Sequence, residues 1–114
     1  MKLAIVGSRN ITIGNLSDYI PETVTEIVSG GAKGIDTCAR EYAAEHNITL
    51  TEFLPEYSIY NRGAPIVRNR QIAEYADEGL AFWDGKSRGT KSTIDLFEKL
   101  GKHIRVIIIE PEEK

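Results

Sequence analysis

Apolar residues in this chain fall into two alternating rhythms. Short, nearly continuous runs bounded by Gly, Pro or Asp alternate with stretches in which apolar residues recur every three or four positions. Leu3 to Val6, ending at Gly7, is a run of the first kind and predicts a parallel strand buried on both faces. Asn15 to Tyr19 predicts a short helix that Pro21 stops, and Glu26 to Ser29 a second strand. Ile35, Ala39, Tyr42, Ala43 and His46 fall at helical spacing, with Cys38 in the helix core and Asn47 suited to the C-cap. Ile48 to Phe53 is β-branched and alternating, hence a third strand. Leu54 to Ala64, with its two tyrosines Tyr57 and Tyr60, is too irregular for a minimal turn and is a candidate binding loop. A helix starts near Pro65 and turns Ile66, Ile72, Ala73 and Ala76 inward. Leu80 to Trp83 is a fourth strand ending in Asp84-Gly85. The loop Lys86 to Thr90 leads into a helix carrying Ile94, Phe97 and Leu100 and closed by Gly101, before a last strand at Arg105 to Ile109.

Strand and helix thus alternate without hairpin signals, which implies a parallel sheet covered on both faces. The expected fold is α/β, a Rossmann-like three-layer sandwich with a five-stranded parallel sheet in the order 3-2-1-4-5. Ligands of such sheets sit beyond the strand C-termini where the winding reverses, here between the first and fourth strands.

Composition narrows the function. A chain of 114 residues, 41% hydrophobic, can bury one modest core and is expected to form a single domain. Its lone Cys38 excludes an internal disulfide and a cysteine-rich metal cluster and fits a reducing, cytoplasmic setting. No segment approaches the ~18 apolar residues of a membrane span, and no basic start precedes a signal-like run. The formal net charge of −3 argues against a general polyanion binder. Yet eight of the 14 Lys and Arg residues (Arg9, Lys33, Arg62, Arg68, Arg70, Lys86, Arg88 and Lys91) lie in or beside strand-to-helix loops, whereas acids gather on helix faces and in the tail Glu110 to Lys114. That distribution points to a focused anionic ligand.

The strongest chemical signal is Ser29-Gly30-Gly31-Ala32-Lys33-Gly34-Ile35-Asp36. A chain that leaves a strand and turns at once into a helix aims free amide N–H groups and the positive helix end at one point in solvent, where a phosphate fits. Gly30 and Gly31 would allow positive φ and close approach of a ligand, Gly34 would let the first helical turn lie against the strand, and Lys33 would add charge at the rim. Ser29 stands where the dinucleotide fingerprint has its first glycine, with Glu52 at about the distance of the ribose-binding acid, so the match is partial. A tight strand-to-helix turn without ligand accounts for the same residues.

Gly7-Ser8-Arg9, the glycine-rich segment, Arg68-Asn69-Arg70, Ala76-Asp77 and Ala81-Phe82-Trp83-Asp84-Gly85 with Gly89-Thr90 together resemble the SLOG superfamily, most of all its stand-alone YspA-like branch. The resemblance covers nearly the whole chain and implies a Rossmann-like domain that binds nucleotides or nucleotide-derived ligands. Two related groups pull apart. The LOG phosphoribohydrolases carry a Pro-Gly-Gly-x-Gly-Thr-x-x-Glu motif with a catalytic glutamate. This chain has Thr93 at that position, and a hydroxyl cannot replace the carboxylate's charge or basicity. The DprA group, whose Rossmann-like domain binds single-stranded DNA, has similar Gly-Ser-Arg, Gly-Ile-Asp and Arg-Asn-Arg segments. Arg68, Arg70, Tyr57, Tyr60 and Trp83 could supply the cations and stacking faces that a strand needs.

The leading expectation is a module that binds a nucleotide-type small molecule, its phosphate held by backbone amides of Gly30 to Gly34 and of Gly89 to Thr90. Gly7, Ser8 and Arg9 would complete the site, Arg9 and Lys33 neutralising charge. Arg68 and Arg70, two apart on a helix, would not both reach it, and Asn69 would bond a ribose hydroxyl or cap nearby backbone. Asp36 would contact ribose or brace its loop, Asp84 would meet a ribose or a metal or simply form the turn before Gly85, and Thr90 would cap the fourth helix as well as face phosphate. Trp83 would pack in the core or cover the base. His46 and His103 have no metal spacing, and no metal is expected. LOG-type hydrolysis and DprA-type binding of single-stranded nucleic acid are the alternatives. A homodimer is suggested by the open sheet edges and by the relatives.

Overall fold

The computed structural model describes residues 1–110, so the end of the acidic tail, 111–114, lies outside the described residues. Five strands, β1 (Lys2–Gly7), β2 (Glu26–Ser29), β3 (Thr49–Glu52), β4 (Glu78–Trp83) and β5 (Ile104–Ile108), form one wholly parallel sheet. Their order is β3-β2-β1-β4-β5, as the alternation of elements predicts. The helices are α1 (Ile35–Glu45), the single turn α2 (Tyr57–Tyr60), α3 (Ala64–Tyr75) and α4 (Arg88–Lys99), with 3-10 turns at Leu16–Tyr19 and Asn61–Gly63.

Strand alternation divides the core into two layers. On one face Leu3 and Ile5 of β1 and Leu80 and Phe82 of β4 pack with Ile35, Ala39 and Ala43 of α1. On the other, Ala4, Val6 and Ala81 meet Ile72 and Ala73 of α3 and Ile94 and Phe97 of α4. Each fully buried Ile, Leu or Phe contributes roughly 1.5–3 kcal/mol, so these central residues dominate the stability. Both neighbours of β1 are strands and both its faces are covered, which is why its sequence is apolar without a break.

The helix stops follow from backbone chemistry. Asn47 takes a φ of 52° after α1, and the Ile48 amide donates to the Ala43 carbonyl at 2.9 Å. Gly101, at φ 70°, closes α4 with both bonds of a Schellman motif: its own amide to Glu98 O at 3.0 Å and that of Lys102 to Phe97 O at 2.9 Å. The Lys102 ammonium then caps α3 from outside, donating to the Ala73, Glu74 and Ala76 carbonyls at 2.8 Å each.

Three expectations need correction. The segment from Leu54 to Ala64 is not a plain loop, because 57–63 coils into α2 and a 3-10 turn that lead into α3. Ile66 does not face the core but is exposed, and α3 instead buries Ala64, Asn69, Ile72 and Ala73. Thr90 does not cap α4: Ser87 is the N-cap residue, and Thr90 lies in the first turn with its hydroxyl 3.4 Å from that of Ser87.

Candidate functional site

A cleft of about 420 Å³ opens beyond the C-terminal ends of the central strands, between the loops after β1, β2 and β4 and the first turns of α3 and α4. This is the point where the winding of the sheet reverses, and the volume lies within the usual range for small-molecule sites of roughly 300–1,000 Å³. The wall from β1 is Gly7, Ser8, Arg9 and Asn10. Gly7 is required by crowding, since a Cβ there would lie 2.5 Å from Ile35 Cγ1 and 2.7 Å from the Phe82 carbonyl. Ser8 is buried, with its amide bonded to Phe82 O at 3.1 Å and its hydroxyl accepting the Asp84 amide at 3.3 Å. Arg9 is exposed at the rim.

The wall from β2 is the glycine-rich loop. Of its residues, Gly30, Ala32 and Asp36 line the cleft, whereas Ser29, Gly31, Lys33 and Gly34 do not. Lys33 is exposed and Ser29 is fully buried beneath the loop. Positive φ occurs at Gly31 (70°) and Gly34 (71°), and Gly30 does not share it. Gly34 lies against the loop after β1 rather than a strand, because a Cβ there would fall 2.6 Å from Arg9 O and 2.7 Å from Ser8 O.

Asp36 braces this loop. Its carboxylate accepts the Ala32 amide at 3.0 Å, so one of the N–H groups that the sequence offers to phosphate is already engaged. Burial pushes the Asp36 carboxyl above the ordinary carboxylate range, while the Ala32 amide and the Arg68 guanidinium pull the other way. Burial likewise lowers the Arg68 pKa from its ordinary value, opposed by Asp36, and an arginine remains charged regardless.

Arg68 and Asn69 form the floor between the two glycine loops. The Arg68 guanidinium donates to Gly30 O at 2.9 Å and to Asn69 Oδ1 at 2.9 Å, and the Asn69 amide donates to Gly89 O at 3.4 Å. Asn69 is buried, while Arg70, the other arginine of the motif, is exposed on α3 and does not line the cleft.

The wall from β4 is the turn Asp84 to Thr90. Asp84 accepts the amides of Ser87 at 2.7 Å and Lys86 at 2.9 Å, which hold its carboxyl below the ordinary range. Ser87, Gly89 and Thr90 bring the N-terminus of α4 to the cleft. Trp83 is not among the lining residues: its indole N–H donates to Ser87 O at 2.9 Å and its ring faces a separate groove along α4.

Asn10, Ser87 and Thr93 line the cleft without having been singled out as ligands. Asn10 follows Arg9 directly, and Ser87 and Thr93 flank Gly89-Thr90 at the start of α4, so adjacency to motif residues was the available signal. No group of three or more His, Cys, Asp or Glu residues capable of holding a metal occurs among the described residues. No helix among them is long and apolar enough to cross a membrane.

Residues 1–56 match the family model described as DNA recombination-mediator protein A. The X-ray structure of DNA processing protein A (DprA) from Streptococcus pneumoniae superposes on the chain with a TM-score of 0.70 at 21% identity, over 96% of this chain and 50% of that one. The chain is DprA-like in fold. It spans about half the length of the DprA chain it matches, and the family match covers β1, β2, α1 and β3, the half that carries Gly7-Ser8-Arg9 and the glycine-rich loop. No curated protein matches the chain at a significant level.

Proposed function

We propose that the cleft binds a nucleotide or nucleotide-derived ligand and performs no chemistry on it. The observation that carries this reading is the convergence of Arg9, Arg68 and the N-terminus of α4 on one cavity at the reversal point of the sheet. A phosphate there gains a bidentate guanidinium partner and the positive end of a 12-residue helix. Asn69, Ser87 and Thr90 offer neutral hydrogen-bonding groups for a sugar. The non-catalytic part of the proposal rests on Thr93, which is buried with its hydroxyl donating to Gly89 O at 3.2 Å and leaves the α4 wall without the carboxylate of the LOG motif.

Calorimetry with a panel of mononucleotides, dinucleotides and ADP-ribose tests the reading. Gly89→Val adds bulk at the mouth of the cleft where a Cβ meets nothing within 4 Å, so the fold tolerates it. Saturable binding that Gly89→Val abolishes and Arg9→Ala weakens about tenfold is the expected result; no heat with any member of the panel overturns it. Release of free base or phosphate during the incubation overturns the non-catalytic part alone.

A second reading is supported by the DprA likeness and by one local feature. Tyr57 and Tyr60 of α2 are exposed, and α2 leads through the 3-10 turn directly into α3, which carries Arg68, so aromatic faces continue outward along the chain from the cationic floor. A single strand seated in the cleft would stack there. Salt-dependent binding of an oligothymidine, weakened by Tyr57→Ala and Tyr60→Ala, is the outcome specific to this reading.

A further inference from the structure

A second depression, about 510 Å³ in volume, runs along the outer face of α4 and shares no residue with the cleft. Its rim carries Lys86, Arg88, Lys91 and Lys99, all exposed, against one acid, Asp95, which is paired with Lys91 at 2.7 Å. In a chain of net charge −3 this is a marked local excess of positive charge. Its floor is apolar, made of Trp83 and Leu96.

The apolar floor continues onto the edge of the sheet. In the parallel register Trp83 faces Ile108 and Ala81 faces Val106, so these β5 residues share the sheet face of Trp83. β5 is an edge strand, and Ile108 is 59% exposed and Val106 36%. Ile108 is the more exposed of the two, at the C-terminal end of this edge strand. Trp83 itself is fixed by its N–H bond to Ser87 O, so its exposed edge is a rigid part of the floor.

We propose that this groove docks an acidic amphipathic segment of a partner protein, with apolar anchors over Trp83, Leu96 and Ile108 and carboxylates against the lysine rim. Charge decides among the occupants. A second copy of the same face would set four cations against four, and like charges across an interface oppose association. A nucleic-acid strand would meet the cations but would leave the aliphatic floor without a partner, since strand binding uses successive aromatic faces and the groove has one. An amphipathic acidic segment satisfies both the rim and the floor, in the manner of helix-in-groove recognition.

The single tryptophan of the chain lies in this groove, which makes its emission a direct readout of occupancy. The probe is a synthetic Glu/Leu peptide with leucines at i, i+3, i+4 and i+7, and its controls are a scrambled peptide of the same composition and an oligothymidine. A saturable emission shift with the amphipathic peptide is expected, weakened at least tenfold in Lys91→Glu/Lys99→Glu and about fivefold in Ile108→Ser. Nucleotide binding in the cleft should be unchanged in both variants, so failure here is distinguishable from failure of the cleft reading. The proposal is overturned if the emission does not respond, if the scrambled peptide binds equally, or if the oligothymidine occupies the groove and displaces the peptide.

Discussion

Arg68 and Asn69, consecutive on α3, are bonded to each other while each holds the backbone of a different glycine loop, Arg68 at Gly30 O and Asn69 at Gly89 O. Two loops 59 positions apart in sequence are thereby spaced by one dipeptide. Removing either side chain strands a carbonyl and the other partner, and an unsatisfied buried polar group costs about 1–3 kcal/mol. Arg68→Ala and Asn69→Ala are each expected to destabilise by that order and to weaken nucleotide binding. The double variant should be less destabilised than the sum, with a coupling of about 0.5–3 kcal/mol in a denaturant-based cycle. Strict additivity would show that the two residues act independently.

The glycines differ sharply in tolerance. Gly34 combines a φ of 71° and ψ of −121° with backbone oxygens 2.6 and 2.7 Å from the position of a Cβ. Gly34→Ala is therefore expected to cost more than the ~1–3 kcal/mol of an ordinary strained conformation. Gly89, in the first turn of α4 with open space around it, should gain up to about 1 kcal/mol from alanine through helix propensity. Urea denaturation of the two variants gives opposite shifts of midpoint if this assignment holds.

Asp36 leaves a signature in acid. Its folded pKa is raised by burial, so between the ordinary value and the raised one the folded state holds more protons than the unfolded state. That contribution makes stability fall as pH rises through this window, and the cost is relieved as pH drops below it. Asp84, whose folded pKa is lowered by the Ser87 and Lys86 amides, acts in the opposite sense: it stabilises above the ordinary carboxylate pKa and loses that effect as pH falls through the lowered one. Asp36→Asn removes only the first effect. Its stability should climb more steeply with pH just above 3.8 than that of the parent chain, and parallel curves would refute the buried-carboxylate account.

Lys102 is expected to matter more than a partly exposed lysine normally does. Its three bonds to the last carbonyls of α3 satisfy a helix end and oppose the negative end of the dipole. Lys102→Met keeps the stem and removes the ammonium, and should lower stability by about 1–2 kcal/mol, with Lys102→Arg recovering part of it. Thermal melts at low and high salt check this, because a merely surface charge would show no loss.

The sheet was legible because its information is local. Leu3 to Val6 and Leu80 to Trp83 are apolar without a break, and only a strand covered on both sides asks for that. The helix ends were legible for the same reason, since Asn47 and Gly101 stand where a left-handed residue is needed. What escaped was set by distant partners. Ile66 reads as core by spacing, yet the face that α3 buries carries Ala64, Asn69, Ile72 and Ala73 and leaves Ile66 exposed. Trp83 reads either as core or as cover for the base, and of these the structure shows the first: it packs against the core layer of Ala81 and does not line the cleft. Lys33 reads as a rim cation and is merely exposed.

The Asp36 carboxylate on the Ala32 amide also bears on selectivity. A small free anion such as sulfate, arriving with charge alone, would have to compete for that N–H with an acid tethered beside it at high effective concentration. On the proposed reading, a guest that recruited Arg9, Asn69 and the α4 terminus at the same time would displace the resident acid more readily, so the cleft would favour larger ligands with several attachments over small anions.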